Sequence, residues 1–127
     1  MHPVVKAAFA YTLPVFAVAF GVGALRVTLV APALGPLPAV ALEVPLILAL
    51  SWAVAGRVLE RWPLADTRPA FAILSFALLM SLELATALAF GQTPAQFLTA
   101  MTTPAGALGL AGQIGFALIP LIRQARG

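Results

Sequence analysis

Four long apolar runs, each bounded by proline, glycine or charge, constrain this 127-residue chain more than any other feature. A helix crossing roughly 30 Å of hydrocarbon needs about 20 predominantly apolar residues. The runs at 4–30, 37–58, 69–90 and 96–122 each meet that requirement and consume most of the chain. Charged residues make up 9% of the sequence, where a soluble domain carries roughly a quarter. The expected fold is therefore all-α: a four-transmembrane-helix bundle, up-down-up-down, as one integral membrane domain over 1–127 with the lipid bilayer as its first partner. No appreciable length is left for a nucleotide-binding fold. The net charge of +3 is better explained by loop lysine and arginine than by a nucleic-acid surface.

The run boundaries have local causes. Ala31-Pro32-Ala33-Leu34-Gly35-Pro36 is a Pro/Gly cluster that a continuing helix would not tolerate, so it reads as the first hairpin. Arg57, Glu60, Arg61, Trp62, Pro63, Asp66 and Arg68 form a charged interfacial connection, with Trp62 as an interface anchor. Pro69 suits a first helical turn, and Gly91-Gln92-Thr93-Pro94 ends the third helix. The fourth helix stops at Arg123, Gln124, Ala125, Arg126 and Gly127. A cleaved signal peptide is the rival reading of the first run, but that run is longer than a signal core and three further spans follow.

Basic residues fix an expected orientation. Lys6, Arg57, Arg61, Arg68, Arg123 and Arg126 lie at the termini and the middle connection, and the other two connections have no Lys or Arg. The positive-inside rule then places both termini in the cytoplasm of a bacterial inner membrane, and the bias opposes dual insertion.

Arg26, Glu43 and Glu83 fall inside the runs, where a charge costs from about 2.5 to over 10 kcal/mol unless partnered. Counted from the nearest connections at 1.5 Å per residue, all three lie roughly 8–10 Å below the same, periplasmic boundary. The expectation is a buried Glu–Arg–Glu cluster in a dry bundle interior. Its structural reading is a lock on helix register; its functional reading is a site that binds or moves something.

Polar residues sharing faces with these charges suggest two layers: an outer one with Thr102 or Thr103, and an inner one with Thr12, Ser51, Ser75 and Gln113. Together they outline a candidate polar route, with hydroxyls bonded to their own helix carbonyls as the plain alternative. Ala105/Gly109 and Ala111/Gly115 form a small-residue surface for packing inside the bundle or against another subunit. Gly21 and Gly23 would make room for Arg26. Pro14, Pro45 and Pro104 are expected to kink their helices. Tyr11 is a core or polar-handle residue, and His2 is expected to do nothing.

The stretches Gly21-Val22-Gly23-Ala24-Leu25-Arg26, Val30-Ala31-Pro32-Ala33-Leu34-Gly35, Glu43-Val44-Pro45 and Ser51-Trp52 look like a group of small uncharacterised four-helix bacterial inner-membrane proteins. That resemblance implies the fold and a pairing of Arg26 with Glu43, and brings no activity. The fluoride-channel family also has a Gly-rich segment before an arginine, but this chain has no asparagine and no Thr-Phe-Ser run. Small multidrug transporters carry an acid in their first helix, where this chain carries Arg26.

No catalytic group, metal ligand set or cofactor motif stands out. Cys 0 and His 1 remove thiolate, haem and histidine-metal chemistry, so metal and cofactor are expected to be none. The leading functional expectation is a non-catalytic membrane subunit or self-associating scaffold, partnered by other membrane helices in a homo-oligomer or larger complex. A small proton-coupled transporter or channel using the glutamates is the alternative, and a lipid- or isoprenoid-acting enzyme comes third.

Overall fold

The computed structural model describes residues 2–64 and 66–123, so Arg126 of the basic set lies outside the described residues. The chain is an all-α four-helix bundle whose four long helical segments are each long and apolar enough to cross a membrane. Helix α1 (Pro3–Leu25) opens with a cap from His2, whose Nδ1 accepts the Val4 N–H at 3.0 Å, so His2 has a local role after all. The helical path enters the Pro/Gly cluster before it ends. It passes through a π-helical turn, Arg26–Val30, into a short α2 (Ala31–Leu34). Pro32 has no N–H to offer the Thr28 carbonyl, and its ring would press on that carbonyl in regular α geometry. The wider turn relieves this, with the Ala31 N–H reaching back to the Arg26 carbonyl. The reversal falls on Gly35 alone, at φ 93 and ψ 162, a conformation essentially reserved for glycine.

Helix α3 (Pro36–Arg61) runs three residues past its expected end, and α4 (Arg68–Ala89) follows. The fourth run is not one helix. It divides into α5 (Pro94–Ala100), which carries a Thr93/Gln96 capping box, and α6 (Pro104–Ile122). Thr103 caps α6 by accepting the Gly106 N–H at 3.0 Å, and Pro104 takes the first helical position rather than kinking a helix interior. Pro14, Pro45 and Pro120 are the prolines inside long helices.

Two contacts define the ends of the bundle. Tyr11 reaches Phe116, and Arg68 donates to the Arg123 carbonyl. The start of α1, the α3–α4 connection and the end of α6 therefore share one end, here the base; Gly35 and residues 91–103 form the opposite end, the mouth. The core is concentrated toward the base, around Tyr11, Leu59, Phe71 and Phe116. Tyr11 stacks on Phe116 at 4.3 Å and meets Phe71 edge-on at 5.5 Å. Trp62 packs against this core, with the Arg61 guanidinium 5.3 Å from its ring centre. Outward faces carry Phe20, Leu42, Ile73 and Leu118, while Thr12, Ser51 and Ser75 are buried. Polar inside and apolar outside is the distribution a bilayer demands, because only protein can satisfy polar groups there.

The small-residue surface of α6 packs within the bundle. Gly109, Gly112 and Gly115 face Val40, Val44 and Leu48 of α3: a methyl group added at Gly112 or Gly115 would lie 3.1 Å from Val44 Cγ1 or 3.0 Å from Leu48 Cδ2. The pairing is thus i, i+3 on α6 against i, i+4 on α3. Ala111 is exposed on another face and takes no part, and Ala105 borders the interior space described next.

Candidate functional site

Arg26, Glu43 and Glu83 lie nine, eight and eight residues from Gly35, Gly35 and Gly91 respectively, or about 12–14 Å below the mouth at 1.5 Å per residue. Each presents the inner face of its helix. On α1 that face continues through Ala19 and Val15; on α3 it includes Val40 and Ile47; on α4 it includes Leu79 and Thr86. All of these residues line one cavity of about 590 Å³, within the size range of small-molecule sites. Phe116, Val15 and Leu79 border it from the core side, and Phe97, Ala100 and Met101 bring α5 and the following turn to its rim.

The ionic residues are half-buried, not sealed. The Arg26 side chain is 32% exposed and that of Glu43 17%. The expected dry, fully buried cluster is therefore corrected: the packed core lies toward the base and the cavity toward the mouth, so charge opens onto a cavity instead of being enclosed by side chains. Arg26 Nε donates to Glu43 Oε1 at 2.5 Å. Gly23 borders the same guanidinium, whose Nη2 would lie 3.5 Å from a Cβ added there. Glu83 lines the same cavity but is not the second tooth of an arginine fork. Its Oε2 accepts from Gln113 Nε2.

Gln113 thus belongs to the outer, charged layer rather than to the inner layer with Thr12, Ser51 and Ser75. Counting the fourth run as a single helix from residue 96 misplaces it. The Thr103-Pro104 pair, an N-cap followed by a first-turn proline, was the available signal for the break. Of the two threonines there, Thr103 borders the cavity, whereas Thr102 is exposed and donates to the Thr99 carbonyl at 2.7 Å. Thr102 accordingly drops out of the polar route.

Thr12, Ser51 and Ser75 are all buried. Thr12 Oγ1 lies 3.5 Å from the Ser75 carbonyl, Ser51 Oγ donates to the Ile47 carbonyl at 2.7 Å, and Ser75 Oγ is buried without a partner. Phe116, which borders the cavity from the core side, has the Tyr11 ring stacked on it. Thr12, Ser51 and Ser75 are not among the residues that line the cavity.

Chemically, the site offers one cation, two carboxylates and one amide. Gln113 turns its NH₂ group toward Glu83, the orientation an ionised carboxylate requires because it only accepts hydrogen bonds. Its Oε1 is then left buried without a protein donor. Among the described residues no group of three or more potential metal-ligating side chains comes together.

Comparison with protein-family models, curated proteins and solved structures returned no match for this chain. The fold and site by themselves define the class: an all-α, multi-pass membrane protein with a charged cavity set into one half of a four-helix bundle.

Proposed function

We propose that this protein is a small-solute carrier or channel unit whose binding site is the cavity lined by Arg26, Glu43, Glu83 and Gln113. One observation supports this reading above the others: four polar side chains from four different helices open onto a single cavity at one depth, while the other half of the bundle is filled by aromatic packing. A lock on helix register needs the ionic contact but has no use for a cavity around it. An asymmetric bundle, open at one end and closed at the other, is what a solute site with access from one side requires. The surface on which a self-associating scaffold would most simply rest is occupied, since Gly112 and Gly115 pack on α3. The reading assigns no reaction to the chain. With the basic residues placed inside, the base faces the cytoplasm of a bacterial inner membrane and the mouth faces the periplasm.

The absence of native cysteine makes the test direct. Single cysteines at Ala19, Thr86 and Ala105 on the cavity, and at Ile73 and Leu118 on the lipid face, are exposed to a membrane-impermeant maleimide in intact cells. Labelling of the cavity positions from the periplasmic side, with the lipid-facing positions unlabelled, is the expected result. Cavity positions that remain unreactive from both sides would overturn the proposal.

A further inference from the structure

The charge and hydrogen-bonding pattern of the cavity narrows its occupant. Two of the four acidic residues in the sequence line it, with one arginine. Arg26 is committed to Glu43 through an ion pair. Glu83 contacts Gln113, an amide that carries no charge. When both acids are ionised, the state a bound cation favours, the three groups sum to a net charge of −1, because the single guanidinium faces two carboxylates. Beside that carboxylate lies Gln113 Oε1, a buried acceptor without a protein donor. The site therefore holds more acidic groups than basic ones and a spare acceptor, with Glu83 and Gln113 side by side. Burying an unpaired acceptor typically costs about 1–3 kcal/mol, and an uncompensated buried charge costs more. A ligand bearing both positive charge and N–H donors relieves both at once.

The remaining lining sets the rest of the ligand. Val15, Val40, Val44, Leu79, Phe97 and Phe116 present apolar surface around the polar residues, and the aromatic faces favour a cationic or aromatic neighbour. Resting on the solute-binding reading above, we infer that the cavity takes a small protonated amine with an apolar body: the ammonium group ion-pairs with Glu83 and donates to Gln113 Oε1, and the hydrocarbon lies against α1, α3 and the α5 rim. Anions of the same shape are excluded by Glu83. Quaternary cations are disfavoured because they carry no N–H for Gln113.

The test uses the full-length protein in lipid nanodiscs, with phenethylammonium as the probe and phenylacetate and tetraethylammonium as controls. Calorimetric titration should show saturable binding of phenethylammonium, no binding of phenylacetate, and at least tenfold weaker binding of tetraethylammonium. Glu83→Gln should weaken phenethylammonium at least tenfold, and Gln113→Leu about threefold to tenfold, in samples whose gel-filtration profile and helical circular dichroism match the wild type. In parallel, phenethylammonium should slow maleimide labelling of a cysteine at Thr86. If phenylacetate binds as well as or better than phenethylammonium, or if Glu83→Gln leaves the affinity unchanged, the ligand class is wrong. If Thr86→Cys labels readily but no amine protects it, this inference fails while the accessible cavity stands. If that cysteine does not label at all, the solute-site reading fails with it.

Discussion

The hydroxyl of Tyr11 donates to the carbonyl oxygen of Phe116 at 2.6 Å, and that carbonyl is the one Pro120 leaves without its helical N–H four residues on. A proline inside a membrane helix frees a carbonyl that lipid cannot satisfy. Here the vacancy is filled from α1, and the same contact sets the Tyr11 ring flat on Phe116. One bond thereby ties the first helix to the last and closes the bundle beneath the cavity.

Tyr11→Phe should destabilise the bundle by about 1–3 kcal/mol, because it leaves the Phe116 carbonyl unpaired in an apolar interior. Pro120→Ala restores a backbone N–H that can take over the same carbonyl. The double variant should therefore recover much of the loss, a coupling that a simple packing defect would not show. Equilibrium unfolding of all four proteins in one detergent measures it, and strictly additive losses would contradict the assignment.

The Arg26–Glu43 pair makes a different prediction, since both partners are charged and partly exposed to the cavity. Arg26→Leu alone strands Glu43, and Glu43→Leu alone strands Arg26. Each should cost about 1–3 kcal/mol, less than the 3–5 kcal/mol typical of breaking a fully buried pair. The double replacement removes both charges together and should be closer to wild type than either single variant. The charge-swapped variant, Arg26→Glu with Glu43→Arg, should fold better than Arg26→Glu alone. Thermal unfolding of the set decides whether the contact is energetically coupled.

Much of this architecture was legible in the residues. The four spans follow from hydrophobic length, and the common depth of Arg26, Glu43 and Glu83 follows from counting turns at a fixed rise per residue. Depth does not specify partners. Glu83 bonds Gln113 because α6 begins only after Thr103, which shifts Gln113 toward the mouth. The first reversal falls within the expected cluster, at Gly35, but the helical path before it runs on to Leu34, past its expected end at residue 30. Pro32 disfavours a regular helix, but a π-helical turn accommodates it, and Gly35 has the backbone freedom to reverse the chain. The cavity was not legible at all, since it depends on how the helices pack toward the mouth. Nor was the Tyr11–Phe116 bond, which joins residues 105 positions apart.

The α3–α6 interface should discriminate sharply among three glycines. At Gly109 an added methyl meets Val40 at 4.0 Å, ordinary contact, so Gly109→Ala should be close to neutral or slightly stabilising. At Gly112 it would meet both methyls of Val44, at 3.1 and 3.2 Å, and a β-branched side chain in a helix has little rotamer freedom with which to yield. At Gly115 it would meet the far end of Leu48, which can move. The expected order of destabilisation is Gly112→Ala first, at about 1–3 kcal/mol, then Gly115→Ala, then Gly109→Ala. Adding Val44→Ala should rescue Gly112→Ala. Unfolding midpoints in a common detergent give the order directly.

Gly106 makes the closest approach in the connection between α5 and α6, and its replacement should report on the cavity rim. A methyl group there would collide with the backbone carbonyl of Ala100, the last residue of α5. Thr103 holds the same turn together, since its hydroxyl donates to the Ala100 carbonyl at 2.7 Å while accepting the Gly106 N–H. Backbone cannot rotate out of the way as a side-chain tip can, so Gly106→Ala must push Ala100, and with it α5, away from α6. Because α5 carries Phe97 at the rim, the effect should be local. Amide hydrogen exchange should rise across residues 94–103 and stay unchanged in α1 and α3. Gly21→Ala is the matched control: nothing lies within 4 Å of the added methyl, and the helix gains up to about 1 kcal/mol from the better helix former. Equal protection of residues 94–103 in the Gly106→Ala and Gly21→Ala proteins would show that α5 is not held by this contact.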